Sequence, residues 1–343
     1  MYYRLFVLLP CLNLIFLSSI SEGYSLSKAF QEVDRAVVMI LTTGREYSKV
    51  RPGKQVATSG LGSGVIISKD GLVMTAAHVV QVADEVVVEF LGGERVSAKV
   101  VGAATLADVA LLKLNDLPEE IVPAELGDSD NVSIGEEIFV VGAPYGVTHT
   151  LTVGHISGRR VPKTFCNQIM PVEFLQTDAA INQGNSGGPM FSMDGKVIGI
   201  VSHFLSQSGG FEGLGFAASI NTAKELLLRQ RPFWTGLEVY AVSGALAKAL
   251  NVPQESGLLI QRVADGSPGH YLGLRPGMIR IRIGNEEILI GGDIILEIHG
   301  IVISANPEQS CRIRETMAET ADGDLIDVKV LREGKTMHLS TPK

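Results

Sequence analysis

The sequence predicts an all-β body of barrel or sandwich type followed by a small α+β domain, and three observations predict it. Short apolar runs punctuated by turn residues recur from Gly60 to Ala218, no long helical period interrupts them, and beyond residue 231 strand-like and helix-like stretches alternate.

In chain order, Arg4 precedes an apolar run from Leu5 to Leu17, and the small residues Ser18, Ser19 and Ser21 follow it. This is the pattern of a secretory signal over residues 1–23. The run is shorter than the roughly 20 residues that a membrane span needs, so a retained N-terminal anchor is the alternative. Val65 to Ser68 leads into Lys69-Asp70-Gly71, a hairpin-type turn, and the strand candidates Val86 to Phe90, Val96 to Val101 and Val109 to Leu114 follow. After a loop from Pro118 to Asp130 the rhythm resumes at Ile138 to Val141, Val172 to Leu175, Lys196 to Val201 and Gly213 to Ala218. Two stacked barrels would use up about a dozen such strands. Asn221 reads as the cap of the first convincing helix, which Pro232 stops, placing a domain boundary near Arg231. The second domain, 232–343, has strand candidates at Gly257 to Val263, Ile279 to Ile283, Ile294 to Ile298 and Asp327 to Leu331. Helical stretches are expected around Gly244 to Leu250 and Pro307 to Glu319.

The 343 residues carry a net charge of −8, with no basic run longer than Arg159-Arg160, so the electrostatic footprint of a nucleic-acid binder is absent. Outside the leader the cysteines are Cys166 and Cys311, whose spacing suits no metal site; each is expected to be a small buried residue or a free thiol.

Peptide hydrolysis at neutral pH needs a nucleophile, a base, an acid that orients the base, and donors facing the developing oxyanion. His78 ends the strand-like run LVMTAAH, where a strand end delivers a side chain to a cleft; a lone histidine is more often packed or solvated. Asp108 sits directly before the apolar run Val109 to Leu114, in a position that also suits a plain turn aspartate. Ser186 lies in Gly184-Asn185-Ser186-Gly187-Gly188-Pro189, where glycine allows turn conformations closed to other residues and a close approach of substrate.

Together, GLGSGVIISKDGLVMTAAHVV, TLADVALLKL, QTDAAINQGNSGGPM, KVIGIVSH and LGFAAS, in that order between Gly60 and Ser219, resemble the trypsin-like serine proteases and within them the HtrA/Deg family. The resemblance implies a double six-stranded barrel over residues 24–231. His78 would be the general base, Asp108 its orienting acid and Ser186 the nucleophile. The backbone N–H groups of Gly184 and Ser186 would form the oxyanion hole, with Asn185 shaping the loop. Ala180, six residues before the nucleophile, would floor the primary specificity pocket, and Ser202, His203 and Phe204 would wall it. A pocket without a carboxylate implies cleavage after small or medium aliphatic residues, although His203 and Phe204 are bulky for this position. The tracts Thr42 to Ser59 and Arg159 to Pro171 resemble the regulatory loops of such proteases, or are ordinary surface loops.

FWTGLEVYAV, SGLLIQRVADGSPGHYLGLRPG and GGDIILEIHG resemble a PDZ domain of bacterial type, with an inserted hairpin near 278–291. Such a domain adds a C-terminal peptide as a strand to its sheet. Gly236, Leu237 and Val239 would form that edge, opposite the helix from Pro307 to Glu319. The resemblance further implies an exported, ATP-independent protease of unfolded polypeptides, most naturally periplasmic, with no cofactor or metal. It also implies a homotrimer or higher oligomer, for which Tyr24 and Phe30 are the aromatic candidates. The competing class is a PDZ adaptor or holdase whose protease domain is silent.

Overall fold

The structure is a computed structural model that describes residues 25–48, 54–161, 172–206, 210–230, 232–321 and 323–343. The leader, Tyr24, Cys11 and Cys166 lie outside them. Helix α1 (Leu26–Val33) is capped by Ser25, whose Oγ accepts from the Lys28 N–H, and it buries Ala29 and Val33.

Strands β1 (Val37–Tyr47), β2 (Gln55–Ile66), β3 (Leu72–Thr75), β4 (Glu85–Glu89), β5 (Arg95–Ala104) and β6 (Val109–Leu114) close a barrel in the order β1-β2-β3-β6-β5-β4. A single helical turn, α2 (Ala77–Val80), interrupts it after β3. Strands β7 (Glu137–Gly142), β8 (Thr150–Arg160), β9 (Phe174–Thr177), β10 (Pro189–Ser192), β11 (Val197–Phe204) and β12 (Gly215–Ser219) close a second, in the order β10-β11-β12-β9-β8-β7. Closure removes the open edges of an all-β sheet, whose unpaired N–H and C=O groups invite aggregation. The alternation that closure requires is visible in β5, where Val96 and Ala98 are buried while Arg95, Ser97 and Lys99 are exposed.

Each barrel has its own core: Ile40, Ile66, Val73, Val88 and Leu112 in the first, Ile138, Val140, Leu175, Met190 and Val201 in the second. A third cluster joins them, with Val65 and Met74 of one barrel against Phe139, Phe191 and Ile200 of the other; the Phe139 and Phe191 rings stack at 5.1 Å. Each fully buried phenylalanine contributes about 1.5–3 kcal/mol, so this seam fixes the groove between the barrels. Phe30 packs against the same cluster.

Several expectations are corrected. Thr42 to Ser59 is mostly ladder: β1 and β2 pair without a break from Val37↔Val65 to Tyr47↔Gln55, and only residues 49–53 fall outside the described set. Arg159 and Arg160 close β8, whereas 162–171 are not described. The helix cap is Ser219, whose Oγ accepts from the Thr222 N–H ahead of α3 (Ile220–Ala223); Asn221 lies inside the helix and donates to Asp128 Oδ1 at 2.6 Å. The helix continues as a wider π-type segment from Lys224 to Gln230.

The C-terminal part comprises β13 (Leu237–Ser243), α4 (Gly244–Ala249), β14 (Ser256–Val263), α5 (Pro268–Tyr271), β15 (Ile279–Ile283), β16 (Glu286–Ile290), β17 (Ile294–Ile298), β18 (Ile301–Val302), α6 (Pro307–Glu319), β19 (Leu325–Arg332) and β20 (Lys335–Pro342). The main sheet runs β13-β14-β17-β19-β20, with β18 beside β17. β15 and β16 form a separate hairpin over the residues expected of the insertion, paired from Ile279↔Ile290 to Ile283↔Glu286. It is pinned to β14 by Gln261, whose side chain donates to the Leu289 carbonyl at 3.0 Å and accepts from the Leu289 N–H at 2.6 Å. Arg280 reaches from it to the Tyr47 carbonyl at the end of β1. Asp293, 1% exposed, is held by Arg332 through two hydrogen bonds of 2.7 Å and by the Arg275 N–H at 2.8 Å. Cys311, on α6, is disulfide-bonded, which corrects the expectation of a free or simply buried thiol there.

Candidate active site

The site is assembled from three segments that face the groove between the barrels. His78 lies on α2, not at a strand end as the run LVMTAAH suggests; β3 stops at Thr75. One helical turn is unstable by itself. It is held here because the Ala77 N–H donates to the Asp108 carbonyl at 3.2 Å and the His78 N–H to Asp108 Oδ1 at 2.9 Å.

Asp108 carries φ +53°, a left-handed conformation unusual for a residue other than glycine and characteristic of strained functional positions. The turn that imposes it aims the carboxylate back at α2. Oδ2 lies 2.7 Å from His78 Nδ1 and accepts from Ser202 Oγ at 2.6 Å. Burial alone would raise the carboxyl pKa, but the hydrogen bonds and charge of His78 and the Ser202 hydroxyl outweigh it and hold the group below the ordinary aspartate value. Asp108 is therefore a carboxylate at neutral pH, fit to keep the proton of His78 on Nδ1 and leave Nε2 as the basic nitrogen.

Ser186 stands between β9 and β10 in a turn that only its glycines permit. Gly187 has φ +85°, and a Cβ there would lie 2.2 Å from Thr75 Oγ1; Gly184 has φ +105°, and a Cβ would lie 2.2 Å from the Ala143 carbonyl oxygen. The Asn185 N–H donates to Asn182 O and the Gly188 N–H to Asn185 O, but the N–H groups of Gly184 and Ser186 have no acceptor among the described residues. Two free amides two residues apart can receive an oxyanion. Asn185 is buried and donates to the Ala180 carbonyl at 3.4 Å, tying the loop to the expected pocket floor. The Ser186 hydroxyl donates to the Ser202 carbonyl at 3.2 Å, and no hydrogen bond joins it to His78.

Of the expected pocket wall, Ser202 is buried with its hydroxyl on Asp108, His203 lies against Phe174 and Phe216, and Phe204 meets Phe211 edge-on at 6.4 Å. A cleft of about 210 Å³ is lined by His78 and Asp108 together with Gln81, Thr105 and the ion-paired Glu238 and Arg262 of the C-terminal sheet. Gln81 accepts at its carbonyl from Trp234 Nε1 (3.1 Å) and donates from its side chain to the Leu237 carbonyl (2.9 Å), so α2 is joined to the start of β13. Gly236 is left-handed at φ +68°, and Val239 is exposed on β13, an edge strand. No cluster of three or more metal-binding side chains occurs among the described residues, nor a helix long and apolar enough to cross a membrane.

The sequence profile of the trypsin-like peptidase domain matches residues 62–200, which span all three segments. Curated relatives named "Probable periplasmic serine endoprotease DegP-like" are 37% identical over 252 residues in Pseudomonas fulva, covering 71% of this chain and 51% of theirs. In Halomonas elongata a protein of the same name is 36% identical over 281 residues, covering 80% and 54%. The chain thus spans about half the length of the curated relatives it matches. Among solved structures, the HtrA-type protease AlgW with a tripeptide is 31% identical, covers 93% of this chain and 96% of its own, and superposes with a TM-score of 0.51. The chain belongs to the HtrA/Deg family of trypsin-like serine proteases. A second HtrA-type structure, AlgW with a decapeptide, matches at 29% identity and TM-score 0.51 over 93% of this chain and 98% of its own.

Within this HtrA/Deg chain, motif reading brings His78, Asp108 and Ser186 forward but misses Ser63. That side chain is 0% exposed; it donates to the Gly184 carbonyl at 2.7 Å and accepts from the Ala143 N–H at 2.9 Å, while its backbone N–H donates to the Ser186 carbonyl at 2.8 Å. Its only sequence signal is a serine set between glycines in GLGSGV, which reads as a flexible strand.

Proposed function

We propose that the chain is an ATP-independent serine endopeptidase of protein quality control that cleaves unfolded exported polypeptides in the periplasm. The observation that carries the reading is the carboxylate-held imidazole of His78 on one barrel facing a serine loop on the other, beside two unused amide donors. In this mechanism His78 Nε2 takes the Ser186 proton as Oγ attacks the scissile carbonyl, and returns it to the leaving amine. Asp108 stabilises the imidazolium, and the Gly184 and Ser186 amides receive the oxyanion. Before attack, Ser186 Oγ must rotate from the Ser202 carbonyl toward His78, which makes the present arrangement a resting one. Ala180 leaves the pocket floor uncharged and favours cleavage after small or medium aliphatic residues.

The segment 232–343 acts in this reading as a PDZ domain, and 24–231 as the protease domain. A peptide with a free C-terminus adds to the edge formed by Gly236, Leu237 and Val239. Because Gln81, the C-cap of α2, holds the Leu237 carbonyl, occupancy of that edge is felt one turn from His78. The enzyme works as a homotrimer or larger assembly. Periplasmic placement is supported by the names of the relatives and by the leader-like residues 1–23.

Incubation with unfolded casein, with and without such a peptide, tests the reading. Cleavage by the unmodified chain that is abolished in Ser186→Ala is expected. Cleavage by Ser186→Ala overturns the nucleophile, and no cleavage by either protein in any condition favours an adaptor or holdase.

A further inference from the structure

β11 and β12 pair regularly up to Val201↔Ala217 and resume at His203↔Phe216, so Ser202 is the extra residue of a β-bulge. A bulge re-aims side chains beside active sites, and this one brings the two consecutive residues Ser202 and His203 into one hydrogen-bonded chain. Ser202 Oγ is 2.6 Å from Asp108 Oδ2 and 2.9 Å from His203 Nδ1. A serine hydroxyl has one proton, and an ionised carboxylate only accepts. The Ser202 proton therefore goes to Asp108, and the proton in the second contact comes from the ring. The order is His203 Nδ1–H to Ser202 Oγ–H to Asp108 Oδ2, which also receives Nδ1–H of His78. His203 Nε2 is then the nitrogen left to gain a proton, and gaining it leaves the chain of donors intact.

We propose that His203 is a positioning residue for the His78–Asp108 pair, acting through Ser202, and that its protonation suppresses the base. The inference rests on the serine-endopeptidase reading and deepens it. The ring is stacked on Phe216 (5.2 Å, 22°) and edge-on to Phe174 (5.9 Å), so β12 and β9 present no charge to it. Among the described residues, the charged or titratable groups that face it are Asp108 and His78. The ring is exposed on one side, and its partial burial against Phe174 and Phe216 pushes the His203 pKa below the ordinary histidine value; Asp108 opposes that shift in part and His78 adds to it. As pH falls through this lowered value, a cation forms that stabilises the Asp108 carboxylate but repels the imidazolium that His78 must become during attack. Activity is retained above that window and lost within it.

The test compares the full chain with His203→Phe, which keeps a ring between Phe174 and Phe216 but has no donor, and His203→Gln, which keeps a donor and cannot titrate. The acid limb of log kcat/KM on a peptide substrate is expected to approach slope two in the unmodified chain and slope one in both variants. His203→Gln should retain more of the alkaline rate than His203→Phe. NMR titration of the imidazole Cε1–H signals supplies a readout independent of turnover. The His203 signal should titrate below the ordinary histidine value in the unmodified chain and be missing from both variants, with the other imidazole signals retained. An unchanged acid limb in folded His203→Gln overturns the proposal. A lowered His203 midpoint in a chain that cleaves nothing would sustain the titration of the ring and overturn the endopeptidase reading; cleavage with the same acid limb in all three proteins would do the reverse.

Discussion

Replacing Ser63 by alanine should damage stability and catalysis together, although Ser63 touches no substrate in the proposed mechanism. Its hydroxyl satisfies two backbone groups at once, the Gly184 carbonyl and the Ala143 N–H, at a place with no solvent exposure. Alanine leaves both without a partner. An orphaned buried polar group costs about 1–3 kcal/mol, so the pair should cost about 2–6 kcal/mol where no water enters. The Gly184 peptide also carries one of the two proposed oxyanion donors, and losing the anchor of its carbonyl frees that peptide to rotate. Complete loss of such a donor costs about a hundred- to a thousandfold in rate; a donor misplaced for part of the time should lower kcat by about ten- to a hundredfold with little change in KM. Urea unfolding followed by tryptophan fluorescence and circular dichroism measures the first effect, and casein or peptide turnover the second. A Ser63→Ala protein within about 0.5 kcal/mol of the parent in stability, the range of an ordinary surface change, would refute the assignment of Ser63 as a buried double anchor; unchanged kcat would refute its link to the oxyanion site.

Asp108→Asn should cut kcat by about ten-thousandfold, because an amide favours the wrong imidazole tautomer. It should also flatten the acid side of the stability profile: the folded-state pKa of Asp108 is depressed, so its contribution is complete above the unfolded value and drains away as pH falls through the folded one. Urea midpoints collected from pH 3 to 7 would check this, and parallel profiles for the two proteins would contradict it. Arg332→Leu strands the Asp293 carboxylate, 1% exposed, and should destabilise the C-terminal sheet by about 3–5 kcal/mol, seen as a lowered first transition on thermal unfolding of the full chain.

Much of this protein was legible in its residues because the relevant physics is local. Alternation and turn chemistry place β6, β15 and β17 at their observed bounds, and the hairpin expected near 278–291 forms there. The glycines around Ser186 signal an unusual backbone because no other residue tolerates their dihedral angles and close contacts. Local pattern misled where a longer contact overruled it. His78 looked like the end of a strand, but Asp108, thirty positions away, supplies the acceptors that wind Ala77–Val80 into a helical turn. Asn221 has cap chemistry, yet the earlier Ser219 captures the helix N-terminus and Asn221 is drawn to Asp128.

The residues capable of acyl-transfer chemistry, and the strands that carry them, are readable from the chain alone, since residue type, spacing and backbone permissiveness are properties of short segments. How that chemistry is braced emerges from contacts between distant segments. Ser63 meets Gly184 across 121 positions, and Ser202 meets Asp108 across 94. The physical reason is that a hydroxyl's worth depends on which buried donors and acceptors close around it. Those partners exist only once two barrels have closed and packed along Phe139 and Phe191.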